Sequence, residues 1–570
     1  MALYTGRIRL FSLVIFCFGL LLIGRLYLLQ VVEGSDYALQ ADRQYIRSTY
    51  DYYDRGSIYF QNKNGEPVSA ATLKTGFILT IHPDEITDPV EVFEKLNAVT
   101  SIDEVDFLAK AGKKGDPEER LVSRLNKETA DEINALKIPG VRMVTERWRF
   151  YPGLSLAAHA VGFVGYDKDD NLNGRYGLER FYEGTLGRNK ERAYTNFFVE
   201  VFSGIQKVLS RDEKLEGDIV TTIEPSVQAF LEDELNKVES TWHSDYSGGI
   251  IMDPHTGEIF ALAVAPAFDP NNLQKEKNIE IFQNKLVENV FEMGSIIKPL
   301  TMAAAIDSGA VTPKTTYFDS GSVVLNGKTI SNFDGKGRGR VSMQEVLNQS
   351  LNTGAVFAME QMGKETFAKY MKAYGLGQET GIDLPNETHG LTDNLDSPRE
   401  VEYATAAFGQ GIAMTPIETI RALSALGNGG FLPNPHIVKR INYRLGGSKI
   451  IVPNPSTPVL KKETSEEITS MLITVVDKAL RGGTVKLPNY SIAAKTGTAQ
   501  VVREGTYAPD QYFHSFFGYF PAYNPRFIIF LFNMYPKGVQ YASETLTEPF
   551  INTAKFLINY YEIPPDRGAM

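Results

Sequence analysis

Phe291-Glu292-Met293-Gly294-Ser295-Ile296-Ile297-Lys298-Pro299 is the stretch on which the reading of this chain turns. Proline has no backbone N–H and sits in a helix only near its start, so the helix containing Pro299 is expected to begin close to Ser295, just after the flexible Gly294. Serine and lysine three residues apart then share one face, which lets the Lys298 amine take the proton of the Ser295 hydroxyl. A serine hydroxyl is a poor nucleophile alone, and a neighbouring base is one of the few ways to activate it. A lysine serves as that base only if desolvation or a nearby cation lowers its pKa towards the working pH. The apolar Ile296 and Ile297 and the run from Leu300 to Ala305 predict a buried helix that supplies this desolvation. An isolated Ser-x-x-Lys is more often a cap followed by a solvated lysine, so the reading depends on finding the rest of a site.

The chain has 570 residues, 43% hydrophobic and 22% charged, enough for two or three domains with substantial cores. A net charge of −11 argues against a surface built to neutralise phosphates, so no nucleic-acid partner is expected. The single cysteine, Cys17, excludes an internal disulfide. The histidines are scattered, with none paired to another His or Cys at ligand spacing, so no metal site is expected.

Residues from about Leu10 to Leu29 read as one apolar helix, preceded by Arg7 and Arg9 and interrupted only by Arg25. That length crosses a bilayer, and the basic flank would stay in the cytoplasm and send the bulk of the chain outside. The competing reading is a cleaved signal peptide, against which no clear small-x-small site follows the apolar run.

From Tyr37 to about Lys214 short β-like runs alternate with charged helical stretches. The polar block Ile102 to Leu136 carries Ala130, Ile133 and Leu136 at helical spacing and reads as helix, then turn at Pro139-Gly140. Trp148 to Gly187 reads as ordered loops. Near Gly217 the texture changes: Asp218 to Ile223 reads as a strand, Glu224-Pro225 opens a helix through Leu235, and Gly248 to Asp253 with Glu258 to Val264 reads as a hairpin leading towards Ser295. Thr415-Pro416-Ile417-Glu418 is a capping box with proline at the first helical position.

Two further elements carry chemistry. Ser350-Leu351-Asn352 follows the amphipathic segment Met343 to Leu351, and a hydroxyl and an amide two apart in a turn can point into one cleft, the first relaying protons and the second holding a substrate amide. Ser491 to Val502 reads as a strand in which Lys495-Thr496-Gly497-Thr498 places a central glycine, the usual mark of close approach by a ligand. The lysine and threonines would hold an anionic group, and backbone N–H groups would face an oxyanion. Lys74-Thr75-Gly76 repeats the triplet near another β-like run, but no Ser-x-x-Lys precedes it.

Ser-x-x-Lys, Ser-x-Asn and Lys-Thr-Gly in this order resemble the penicillin-recognising acyl-transfer enzymes. Met252-Asp253-Pro254 with Thr256-Gly257-Glu258, Phe268-Asp269-Pro270, and Gly409-Gln410-Gly411 with Thr415-Pro416 are similar to bacterial penicillin-binding proteins. Arg55-Gly56-x-Ile58, Tyr151-Pro152, Ala158-His159 and Gly177-Leu178-Glu179 resemble the pedestal of the class B, monofunctional members.

The resemblance implies an α+β multidomain fold: an anchor over residues 1–35, a mixed α/β pedestal over 36–215, and a transpeptidase domain over 216–570 with a central antiparallel sheet flanked by helices. It implies a D,D-transpeptidase of peptidoglycan synthesis, outside the cytoplasmic membrane and more like the septal than the elongation type. In that reading Ser295 attacks the D-alanyl-D-alanine carbonyl and Lys298 accepts its proton. Ser350 and Lys495 deliver a proton to the leaving D-alanine, and Asn352 binds the peptide amide. Thr496, Gly497 and Thr498 line the substrate, with Thr496 and Thr498 on its carboxylate and the N–H groups of Ser295 and Thr498 forming the oxyanion hole. Implied partners are stem peptides, β-lactams, a membrane-embedded glycosyltransferase and division-complex proteins. A D,D-carboxypeptidase or β-lactamase using water as acceptor, and a non-catalytic division scaffold, remain as alternatives.

Overall fold

A computed structural model describes residues 53–168, 171–188, 216–452, 454–503 and 506–567, together with 16 and 18. The expected membrane span from Leu10 to Leu29 lies outside the described residues, Phe16 and Phe18 apart. Among the described residues no helix is long and apolar enough to cross a membrane.

The chain divides into two compact units, one containing Lys74–Trp148 and the other Arg55–Leu73 with everything from Arg149 onward. In the first, the later part of strand Pro67–Ile81 is flanked by strands Glu119–Leu125 and Val141–Phe150. Helices Pro89–Asn97, Glu104–Ala111 and Lys127–Ala135 begin at Asp88, Asp103 and Asn126, whose side chains accept N–H bonds from the first turn. Leu79, Ile81, Leu96, Phe107 and Ile133 fill its core. The polar block is therefore not one helix: strand Glu119–Leu125 separates two, hidden by a half-exposed pattern with no clean alternation.

In the second unit, helix α1 (Pro225–Trp242) runs a further two turns beyond Leu235, capped by the Glu224 carboxylate on the Val227 N–H. It is followed by the hairpin β1 (Tyr246–Met252) and β2 (Ile259–Ala265). Then come helix α2 (Lys298–Asp307) and the short strands β3 (Thr316–Asp319), β4 (Ser322–Leu325), β5 (Lys328–Ser331) and β6 (Gly339–Ser342). Helices α3 (Met343–Asn348), α4 (Asn352–Met362) and α5 (Pro416–Ser424) precede strands β7 (Ala493–Arg503), β8 (Thr506–Phe520) and β9 (Phe527–Met534), and helix α6 (Thr547–Tyr560) ends the fold. The capping box at Thr415 forms as its sequence predicts.

The central sheet is antiparallel throughout, in the order β7-β8-β9-β1-β2. β9 is buried along its whole length, because both faces of the sheet are covered. Its even positions, Ile528, Phe530 and Phe532, join a core with Leu300 and Ala304 of α2 and Ile417 of α5. Its odd positions, Phe527, Ile529 and Leu531, join a second core with Val227 and Leu231 of α1 and Phe550 and Ala554 of α6.

The motifs outside the central sheet meet at a buried charge cluster in the same unit. Glu179, fully buried, accepts from Arg55 Nε and Arg149 Nε, both at 2.6 Å. Arg55 also grips both carboxylate oxygens of Glu183 at 3.0 and 2.8 Å, and Arg149 donates to Gly56 O at 2.8 Å. Burial pushes the Glu179 carboxyl up, but Arg149 and Arg55 outweigh it and hold the group below the ordinary range.

Candidate active site

The nucleophile segment is held from three sides. Phe291 and Met414 exchange backbone hydrogen bonds, Gly294 N–H donates to Gly409 O at 3.0 Å, and Gly411 N–H donates to Glu292 Oε1 at 2.9 Å. Gly409-Gln410-Gly411 thus braces Ser295 from behind. Gly294, with φ of +63°, turns the chain into a single 3-10 turn, Gly294–Ile296, and α2 begins only at Lys298. Ser295 therefore sits in the turn that leads into the helix, with Pro299 in its first turn as the sequence requires.

Gly497 packs against the nucleophile turn. A Cβ there would lie 2.3 Å from Ser515 Oγ, 2.7 Å from Met293 O and 3.0 Å from Ile296 N. The missing side chain lets the chain's own nucleophile turn approach this strand closely. Ser515, opposite Gly497 on β8, donates to Met293 O at 2.8 Å and completes the seam.

β7 is the edge strand of the sheet, so among the described residues one side of it is paired with no other strand. Along it Lys495, Gly497 and Ala499 are buried, whereas Thr496, Thr498 and Gln500 are half-buried, the two-residue alternation of a strand. Thr498 Oγ1 accepts from Ala542 N at 3.1 Å.

Ser350 is where the two lysines meet. Lys298 Nζ donates to Ser350 O at 2.5 Å and Ser350 Oγ at 3.2 Å, and Lys495 Nζ donates to Ser350 Oγ at 3.0 Å and Thr496 O at 2.9 Å. Among the described residues no hydrogen bond joins Ser295 Oγ to Lys298. Ser350 has φ of +55°, a left-handed conformation that costs a non-glycine residue roughly 1–2 kcal/mol. Its place is the short link between α3 and α4, and Asn352 opens α4 rather than closing a turn. Asn352 Nδ2 donates to Ser331 O at 2.8 Å.

The exposed fractions of Lys298 and Lys495 are 1% and 2%, so neither ammonium is solvated. Burial pushes Lys495 down to about 7. Burial, and then repulsion from Lys495, hold Lys298 well below the ordinary lysine range. These shifts put a neutral amine within reach of ordinary pH. The arrangement provides a serine on a tight turn, a desolvated amine one turn away, and a second hydroxyl bridging two lysines, the components of acyl transfer through a serine ester.

All eight residues expected at the site come from β7, the nucleophile turn, the start of α2 and the α3–α4 junction. Sequence reasoning missed Asp319, Asn332, Phe333, Ser515 and Tyr541. Phe333 and Tyr541, both exposed, stand edge to face with centroids 5.8 Å apart, one two residues beyond the Ser331 carbonyl that holds Asn352 and the other next to the Ala542 N–H that holds Thr498. Asp319-Ser320-Gly321 and Asn332-Phe333-Asp334-Gly335 carried only ordinary turn signals.

Residues 248–554 match the family model of the penicillin-binding protein transpeptidase domain, and residues 51–218 match that of the penicillin-binding protein dimerisation domain. Stage V sporulation protein D of Bacillus subtilis is 31% identical over 95% of this chain and 83% of its own length. A peptidoglycan D,D-transpeptidase FtsI of Buchnera aphidicola is 27% identical over 97% of this chain and 94% of its own. Among solved structures, penicillin-binding protein 3 of Mycobacterium tuberculosis, complexed with aztreonam, shares the fold with a TM-score of 0.68 at 23% identity, covering 91% of this chain and 98% of that one.

Proposed function

The chain belongs to the penicillin-binding protein family as a class B peptidoglycan D,D-transpeptidase, and from that membership we propose that Ser295 is the residue acylated in its reaction. The observation that carries the assignment is that Lys298, three residues after Ser295, and Lys495 converge on Ser350 Oγ.

Ser295 Oγ attacks the carbonyl of the penultimate D-alanine of a stem peptide, and its proton passes to neutral Lys298. The N–H groups of Ser295 and Thr498 receive the developing oxyanion. The C–N bond breaks as a proton travels through Ser350 Oγ, with Lys495 beside it, to the departing D-alanine amine. Asn352 holds the peptide amide, and Thr496 and Thr498, flanking Gly497, hold the terminal carboxylate. An amine of a neighbouring stem peptide then attacks the ester and gives up a proton, restoring the Ser295 hydroxyl as the cross-link forms. A β-lactam, presenting a strained amide to the same serine, remains attached as a stable ester.

The family reading supports an anchor over 1–35, a pedestal over 36–215 and a transpeptidase domain over 216–570, with the catalytic domain outside the cytoplasmic membrane. It also supports a membrane-embedded glycosyltransferase and division proteins as partners, and a septal role. Depletion in the host tests that role: filaments follow loss of a septal enzyme and rounded cells loss of an elongation enzyme. The reaction is tested by D-alanine release from a pentapeptide donor with and without an added amine. Cross-linked product that depends on both the amine and Ser295 supports transpeptidation, and hydrolysis unaffected by amine supports the carboxypeptidase alternative.

A further inference from the structure

Asp319 ends β3 with 1% of its surface exposed, and its carboxylate is met almost entirely by neutral donors. Gly321 N–H and Arg338 N–H each donate at 3.0 Å, Asn332 Nδ2 lies 3.0 Å from both oxygens, and Thr353 Oγ1 donates at 2.8 Å. The guanidinium of Arg338 is engaged by Asp334 instead.

Thr353 follows Asn352 in the first turn of α4, whose preceding residue, Leu351, supplies no side-chain cap. An uncapped helix start leaves N–H groups that need partners from elsewhere. Here Asn332 Oδ1 accepts from Thr353 N–H at 3.3 Å, while Tyr317 OH lies 3.0 Å from Thr353 Oγ1. Asn332 directly follows Ser331, whose carbonyl takes the Asn352 amide, and precedes Phe333. The buried anion thus gives a shared partner to two pieces that also hydrogen-bond directly: the end of the β4–β5 hairpin and the first turn of α4.

We propose that Asp319 is a positioning residue for acyl transfer, fixing Asn352 through Thr353 and Asn332 so that its side-chain amide meets the amide of the donor. Removing the anion lets the start of α4 and the Ser331 carbonyl drift apart, and misplacement of about 1 Å costs on the order of a hundredfold in an oriented reaction. The inference rests on the acylation of Ser295 proposed above.

The test measures second-order acylation rates of the full chain by benzylpenicillin, which carries a side-chain amide, and by 6-aminopenicillanic acid, which lacks it. Asp319→Asn is expected to slow benzylpenicillin by about tenfold or more and 6-aminopenicillanic acid by less than about threefold, since only the former uses the oriented Asn352. Thr353→Val is expected to reproduce this selectivity and Thr353→Ser to restore wild-type rates, which keeps the test decisive if Asp319→Asn does not fold. Equal slowing towards both compounds, or a Thr353→Val rate ratio equal to wild type, overturns the proposal. Absence of a Ser295 adduct in the wild type would instead overturn the functional reading beneath it.

Discussion

Lys298 and Lys495 are buried amines sharing one hydroxyl, so their protonation is linked. Burial disfavours both charges, and the charge of Lys495 further disfavours that of Lys298. Lys298 acts as a base only when neutral, so acylation rises with pH as it loses its proton and falls away on the acid side. Replacing Lys495 with Met removes the repulsion that depresses Lys298, raises the pKa of Lys298, and moves the acid limb of the acylation profile to higher pH. An unmoved limb in Lys495→Met would mean that a group other than Lys298 governs it. Gly497→Ala makes a different prediction, because the added methyl meets Met293 O and Ile296 N across the seam. Acylation is expected to drop by about a hundredfold or more as the nucleophile turn is displaced, read by covalent labelling of protein whose circular dichroism is unchanged. At this scale the residue types were legible, since Ser295, Lys298, Ser350 and Lys495 stand in recognisable motifs. The partner of Gly497 was not, because a glycine records that something approaches but not what.

Elements are joined here by buried polar groups as much as by apolar packing. Glu179, on the helical turn Gly177–Phe181, ties Arg55, three residues before the strand Ile58–Gln61, to Arg149 at the end of strand Val141–Phe150. Breaking one member of a buried ion cluster leaves charges unpaired at about 3–5 kcal/mol, so Glu179→Gln is expected to lower the melting temperature by several degrees. The sign with pH follows from the depressed carboxyl: its stabilisation is present above the unfolded pKa and lost as pH falls through the folded one. The variant should therefore lose less stability on acidification than wild type, and equal acid sensitivity would contradict this account. The β1–β2 hairpin was the kind of element a sequence exposes, two apolar arms around the Pro254-His255-Thr256-Gly257 turn. Strand Glu119–Leu125 was not, because its weak alternation reads as a solvated helical face. The Asp319 node was equally hidden, since its side-chain partners Asn332 and Thr353 lie 13 and 34 residues away in the chain and look like turn residues one at a time.

Over the whole chain, the order of three short motifs did what none does alone. Ser-x-x-Lys, Ser-x-Asn and Lys-Thr-Gly are each common, but this fold lays the third on a sheet edge against the turn carrying the first, with Lys495 reaching Ser350 of the second. The pedestal motifs proved legible for a similar reason, because Arg55, Tyr151 and Glu179 share one hydrogen-bonded cluster. The most direct measurement is intact mass and peptide mapping of the full chain after reaction with benzylpenicillin, wild type beside Ser295→Ala. The account predicts one penicilloyl adduct, mapped to Ser295 and absent from a Ser295→Ala protein that melts like wild type. An adduct at another residue, or undiminished labelling of Ser295→Ala, would contradict it.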